Sequence, residues 1–316
     1  MDTAPITDLD FAERAERHRR ELHVHCYRML GSFEEAEDLV QETLLRAWRR
    51  RGDLQQDGNF RAWLYRIATN ACLDAVKAKK RRVPSLSSFR DIPWLEPYPD
   101  RLFPQATPEG ADPQGVVVGR ETIGLTFLAV LQLLPPRQRA ALILRDVLDW
   151  PVDQVAELLN LTTSAVNSAL QRARATLRAR LPASDRESWT PTTPTPSERD
   201  VLAQFIRAYE AGDTAATLTL LSEDIRVTMP PAPYLFEGRE AIAGLAERAR
   251  TTGDWRLLAT AANGQPAAAC YLREPGASQF VAFKIDVLRL VDGAIAEITT
   301  FGVKHFPAFD LPPVLP

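Results

Sequence analysis

The chain has 316 residues, 45% hydrophobic and 25% charged, with a formal net charge of −3 at pH 7. This is the composition of a globular protein of two or three domains, with no apolar run long enough to span a bilayer. The acid excess excludes a protein that coats nucleic acid by bulk electrostatics, so any such contact must be local.

The N-terminus, MDTAPITDLDFAERAER, is acidic and lacks the apolar core of a secretion signal, which predicts a cytoplasmic location and no membrane partner. Cys26, Cys72 and Cys270 lie far apart, are odd in number and show no CxxC spacing. They read as buried or free thiols, and the four histidines offer no metal-ligand spacing, so neither a disulfide framework nor a metal site is expected.

Two proline-rich breaks divide the chain. Residues 83–119 contain PSLSSFRDIPWLEPYPDRLFPQATPEGADPQG, which cannot sustain a helix. Residues 182–197 carry the Thr/Pro alternation of an extended linker. Three blocks remain, 10–82, 120–181 and 198–308.

The first block reads as helical throughout. Glu34 to Arg50 runs EEAEDLVQETLLRAWRR, acids first and arginines last. Acids at a helix start complement its dipole, which accounts for part of that order. Leu39, Val40, Leu44, Ala47 and Trp48 recur at helical spacing, as do Trp63, Leu64, Ile67, Ala68, Ala71 and Val76 in a second helix. Arg51-Gly52-Asp53 and Gln56-Asp57-Gly58-Asn59 mark the turn region between them. Lys77 to Arg82 (KAKKRR) then gathers five cations in six residues.

The second block is helical from Ile123 to Leu134 and broken at Pro135-Pro136. Val152 to Leu159 (VDQVAELL) forms a short amphipathic helix, Asn160-Leu161-Thr162 a turn, and Thr163 or Ser164 a cap for the next helix. On that helix Val166, Leu170, Ala173 and Leu177 share one face. Ser164, Asn167, Ser168, Gln171, Arg172 and Arg174 share the other. Amides pair bidentately with adenine, and arginine reaches guanine or phosphate, so this pattern suits a recognition helix. A helical hairpin with a solvated polar face is the alternative. The absence of acids on the helix favours DNA, because a merely solvated face mixes signs.

Residues 35–43 (EAEDLVQET), 60–70 (FRAWLYRIATN) and the basic run resemble region 2 of bacterial sigma-70-type factors, above all the extracytoplasmic-function (ECF) group. LPPRQR at 134–139, with the helix-turn-helix, resembles region 4. The resemblance spans 10–82 and 120–181 in the family's order. It implies two all-α sigma domains, a region 2 bundle and a region 4 helix-turn-helix, and a protein that recruits core RNA polymerase to promoter DNA. By position, Asp38, Gln41, Glu42 and Leu45 would bind the clamp helices of the polymerase large subunit, with the flap as a further polymerase contact. Carboxylates pair well with basic partner side chains. Asn59, Phe60, Arg61, Trp63, Arg66, Asn70, Lys80 and Arg81 would meet the −10 element, with one of Trp63 and Tyr65 expected in the core. The six polar residues of the recognition helix would meet the −35 element. Promoter melting needs no catalytic residue, since capture of unstacked bases supplies the free energy.

The third block changes character. A helix near Ser197–Ala211 precedes β-rich runs at Ile225–Met229, Trp255–Ala261, Ala267–Leu272, Phe280–Leu290 and Ala294–Phe301. An amphipathic helix, Arg239–Arg250, lies among them, and Val291-Asp292-Gly293 is a hairpin signal. The order predicts an α+β domain. DIRVTMPP at 224–231 and FEGREAI at 236–242 resemble a SnoaL-like domain of the NTF2 fold, a cone of curved sheet plus helices. Some relatives of that fold are enzymes. Asp224, Asp286 and His305 are the candidate acid–base groups, and Trp255, Met229, Tyr209 and Phe301 the candidate pocket walls. Such side chains at strand spacing are more often core, and a fold is no warrant for function. No catalytic residue or cofactor is expected, and a small-molecule ligand of this domain stays open.

Pro93 to Asp100 reads PWLEPYPD. Exposed Trp and Tyr in a linker carry a hydration cost, so the segment is either a tether packed on the nearest domain or a docking element. It resembles a motif of ECF sigma factors with fused SnoaL-like domains. This implies that Trp94, Leu95, Pro97, Tyr98 and Asp100 dock the C-terminal domain on the sigma core, where the domain would modulate activity in cis. The rival readings are a polymerase-independent helix-turn-helix regulator and a small-molecule enzyme carried on the third block.

Overall fold

The computed structural model describes residues 8–53, 59–79, 92–103, 124–181 and 194–316. They fall into two compact units, one built from the described residues up to 79, residue 103 and residues 126–181, the other from 92–102, 124–125 and 194–316.

The first unit opens with α1 (Asp8–Arg17), α2 (Arg19–Leu30), α3 (Phe33–Arg49) and α4 (Phe60–Ala78). Gly31 ends α2 at φ 74°, a left-handed turn that glycine adopts without steric cost. Ser32 caps α3 by accepting from the Glu35 N–H (3.3 Å), and Asn59 caps α4 by accepting from that of Ala62 (3.0 Å). Leu22, Cys26 and Met29 of α2, Val40 and Ala47 of α3, and Leu64, Ala68 and Cys72 of α4 form the buried interior. All three cysteines are free and buried, as their spacing predicts.

Downstream come α5 (Leu125–Leu133), α6 (Pro136–Leu142) with a π turn over Ile143–Val147, α7 (Val152–Leu159) and α8 (Thr163–Arg180). Pro136 occupies the first turn of α6, where its missing N–H costs nothing. α7 stops at Asn160, left-handed at φ 52°. The cap of α8 is Thr162, not Thr163 or Ser164. Thr162 keeps extended backbone (φ −80°, ψ 155°) and its hydroxyl accepts from the Ala165 N–H at 3.1 Å, so the two residues after it are already helical.

These helices close on the first four. Arg139 of α6 is buried, and its guanidinium donates to the Met29 carbonyl, to Gln132 Oε1 (2.8 Å) and to the carbonyls of Gln132 (3.0 Å) and Leu134 (3.2 Å). Buried cations survive where acceptors replace their water.

In the second unit α9 (Pro196–Glu210), α10 (Thr214–Thr219) and α11 (Gly238–Thr252) accompany a mixed sheet of β1 (Leu221–Met229), β2 (Ala232–Glu237), β3 (Asp254–Ala262), β4 (Gln265–Arg273), β5 (Phe280–Val291), β6 (Ala294–Gly302) and β7 (Val314–Leu315). The order is β2-β1-β6-β5-β4-β3, with β7 on β5, and β1 pairs with β6 in parallel. Asp292 and Gly293 turn β5 into β6 at φ 50° and 78°, the two left-handed residues that a twisted hairpin requires. Bulges at Thr228/Met229, Cys270/Tyr271 and Arg289/Leu290 bend the strands. Leu202 and Phe205 of α9 and Ile242 of α11 pack with Ile225, Leu257, Leu288 and Ile298 in one core. The edge strand β2 and the short α10 were not legible: Pro230, Pro231 and Pro233 argue against a strand, and six residues are too few to display a helical face.

Candidate functional site

α3 buries Ala36, Val40, Thr43 and Ala47. That stripe fixes the helix's rotation and leaves Asp38, Gln41 and Leu45 exposed along another face, with Glu42 half-buried beside them. Leu45 is 44% exposed, a large apolar side chain amid acids. Gln41 donates to Glu37 (3.3 Å), and Glu42 pairs with Arg46 at 2.7 Å, one turn along. An acidic face around an exposed leucine suits a basic protein surface with an apolar notch, and repels phosphate.

The candidate −10 residues divide. Phe60 is buried, its ring 5.5 Å from Phe11 and 5.9 Å from Trp63, with the Arg14 guanidinium 4.4 Å above it. It is therefore a core residue and not an exposed base contact, because Phe60, Leu64 and Ile67 share the buried stripe of α4. Trp63 is half-buried and Tyr65 buried, so Tyr65 is the core member of that pair. Arg61 donates to Glu21 (2.8 and 2.7 Å), and the Tyr65 hydroxyl donates to the same oxygen at 3.1 Å. Burial pushes the Glu21 carboxyl up, but hydrogen bonds from His18 and Arg61 more than offset it and hold the group below its usual range. Asn59 spends its side chain on the α4 cap, while Asn70 is exposed. Arg66 is exposed too and forms an ion pair with Glu157 of α7, and the Tyr65 ring lies 5.2 Å from Trp150. Lys80, Arg81 and the Gln56–Gly58 turn lie outside the described residues.

On α8 the buried stripe is Val166, Ala169, Leu170, Ala173 and Leu177. Ser164, Asn167, Ser168, Gln171, Arg172 and Arg174 are all exposed, as the sequence predicts. Arg174 is engaged, gripping Asp146 through two bonds of 2.6 and 2.8 Å.

The PWLEPYPD segment belongs to the second unit. Tyr98 and Asn263 exchange two bonds, from the Tyr98 N–H to Asn263 Oδ1 (2.8 Å) and from the Asn263 N–H to the Tyr98 carbonyl (2.9 Å). Asp100 Oδ1 accepts from the Gly264 N–H (2.9 Å), and Lys304 donates to Glu96 at 2.5 Å. Leu95, Pro97 and Tyr98 are buried, and Trp94 is half-buried. The segment is thus clasped on the β3–β4 turn of the C-terminal domain. The signal for that turn was present as Asn263-Gly264, both left-handed at φ 57° and 73°.

A cavity of about 540 Å³ opens in this unit, and Trp255, Met229, Tyr209 and Phe301 line it, as expected of pocket walls. The candidate acid–base groups do not converge there. Asp224 is exposed on β1 and His305 is buried against Phe301. Asp286 is buried, accepting from Thr300 (2.6 Å) and pairing with Lys284 (2.7 Å), a residue the sequence did not single out. Burial pulls the Lys284 ammonium down, but Asp286, Tyr209 and Cys270 more than offset this and keep it charged, well above the usual lysine range.

An acidic helix face, a helix-turn-helix with an acid-free recognition helix and an appended α+β domain define a sigma-type transcription factor with a fused accessory domain. The chain matches the Sigma-70 region 2 family over residues 15–82, Sigma-70 region 4 over 125–177 and the SnoaL-like domain over 202–298. It belongs to the ECF RNA polymerase sigma factors: the ECF sigma factor SigG of Mycobacterium tuberculosis is 42% identical over 321 residues, covering 96% of this chain and 84% of that one. SigW of Bacillus subtilis is 29% identical, covering 54% of this chain and 88% of its own length. The crystal structure of Mycobacterium tuberculosis SigJ shares the fold, with a TM-score of 0.63 at 22% identity over 95% of this chain and 99% of that one. No described helix is long and apolar enough to cross a membrane.

Proposed function

We propose that the protein initiates transcription in the cytoplasm as an ECF sigma factor whose C-terminal domain modulates it in cis. The observation that carries this reading is the opposite polarity of two exposed helix faces. α3 presents Asp38, Gln41, Glu42 and Leu45 to the clamp helices of core polymerase, while α8 presents Ser164, Asn167, Ser168, Gln171 and Arg172, with no acid among them, to the −35 duplex. Asn70 and Arg66 serve the −10 strand, with the flap as a second polymerase contact near region 4.

The packing of the first unit supports a resting state. The −10 and −35 elements are roughly 25 base pairs apart, or about 85 Å at 3.4 Å per pair. The Arg66–Glu157 pair and the Tyr65–Trp150 contact hold both DNA-reading regions in one compact body. They must separate to reach both elements, and polymerase supplies the surface on which they do so. The clasped PWLEPYPD segment, lying between regions 2 and 4 in the chain, gives the C-terminal domain a covalent and non-covalent hold on that rearrangement.

Run-off transcription with core polymerase tests the proposal, comparing the full chain with one truncated after Leu181. Promoter-dependent transcript from the full chain, and more from the truncation, is expected. Less from the truncation makes the domain an activator and overturns the inhibitory form. No transcript from either overturns the sigma assignment of these faces.

A further inference from the structure

We propose that the cavity of the C-terminal domain binds a neutral, ring-bearing small molecule that presents one hydrogen-bond-accepting oxygen to Lys284. Its consequence for transcription rests on the sigma-factor reading; the binding itself does not.

Size and lining come first. About 540 Å³ is the volume of a drug-sized site, and a ligand whose apolar rings displace poorly held water from apolar walls gains affinity. Phe205, Tyr209, Met229, Trp255, Ile298 and Phe301 make the walls predominantly apolar and aromatic, which favours flat rings stacked face or edge on. Phe283 and Arg248 line it and are exposed, so a ligand has a way in from solvent.

Charge sets the polar end. Lys284 reaches the cavity between two rings, its Nζ 5.3 Å from the centroid of Tyr209 and 5.9 Å from that of Trp255. An ammonium has three donors. Asp286 takes one at 2.7 Å, which leaves donor capacity for an acceptor inside the cavity. Thr300, also in the lining, spends its proton on Asp286. Lys284 and Asp286 already cancel, and Arg248, the other cation of the lining, is exposed at the mouth, so an anion placed at the Lys284 end would bury an extra, uncompensated charge. A carbonyl or ether oxygen satisfies the donor without one.

The test is fluorescence titration of the intact chain with 6-propionyl-2-dimethylaminonaphthalene, a neutral bicyclic ketone. Its propyl analogue, which lacks the carbonyl, and the anionic 1-anilinonaphthalene-8-sulfonate serve as comparisons. One ketone probe per chain is expected, with blue-shifted emission and at least tenfold tighter binding than either comparison. Ala246→Trp, which fills the cavity from α11, should abolish binding. The paired change Lys284→Met with Asp286→Asn should make ketone and propyl probes equal. Equal affinity of the two neutral probes for the unaltered protein overturns the proposal without relying on any variant. So does preference for the sulfonate, binding that survives Ala246→Trp, or no binding of any probe. None of these outcomes bears on run-off transcription by the chain truncated after Leu181, so failure of the ligand and failure of the sigma reading stay separate.

Discussion

On α3 and α8 the residues proposed to act are exposed: Asp38, Gln41 and Leu45 on one helix, Asn167, Gln171 and Arg172 on the other. In the C-terminal domain the polar chemistry is inside, with Asp286 buried and paired to Lys284, which lines a cavity with aromatic walls. Exposed groups add little to folding, so their charge pattern is free to answer to a partner. A buried ion pair is bound up with folding, because removing one member leaves the other uncompensated. Changes on the helices should therefore alter binding at constant stability, and changes inside the domain should alter stability first.

The largest effect is expected from Asp286→Ala, which strands the Lys284 ammonium. It should destabilise the domain by about 3–5 kcal/mol, read as a lower denaturant midpoint, and a second change, Lys284→Met, should restore part of the loss. A milder Ala variant than Lys284→Met/Asp286→Ala would show that the pair is not coupled and erase the contrast. Next, Asp38→Lys with Glu42→Lys should weaken association with core polymerase by about a hundredfold, roughly 2.7 kcal/mol, with the unfolding midpoint unchanged. Undiminished association would remove α3 as the polymerase face. Arg172→Ala should cost about 1–3 kcal/mol on a −35 duplex, measured in the polymerase complex, again without loss of stability. Asn263→Gly keeps the left-handed turn but deletes the acceptor for the Tyr98 N–H. It should lose about 1 kcal/mol and expose the PWLEPYPD segment to faster amide exchange.

The acid response of the first unit is the smallest effect near neutrality. Burial is the main cause holding His25 down at about 3 and His23 at about 4, below the ordinary 6.5. The unfolded chain then takes up protons that the folded one refuses. Stability is full above about pH 6.5 and falls as pH drops from there toward 4 and 3. Urea midpoints measured from pH 7.5 to 4.5 should follow that slope, and His25→Phe should flatten it. An unchanged slope would mean that His25 does not drive it.

Much of the helical unit was legible because helical periodicity and side-chain exposure are local. All six polar residues of α8 are exposed where the 3.6-residue repeat puts them. Phe60 misled because a motif position carries no information about which face it takes. Lys284 escaped notice for a different reason. Cys270 pairs with Lys284 but Tyr271 with Ala282, so Phe283 is an extra residue in β5. That bulge brings Phe283 and Lys284, neighbours in the chain, into the lining of one cavity, a convergence that strict alternation does not provide, although Lys284 itself lies two residues from Asp286 on the same face.

By itself the sequence determined the helices, their faces and the sign of charge each presents, because those follow from spacing along a few turns of chain. Only the tertiary structure decided that Arg66 meets Glu157, 91 residues away, and that Tyr98 is clasped by Asn263, 165 residues away. Pairings at such separations depend on how packed elements close on one another, and no local pattern of residues encodes that choice.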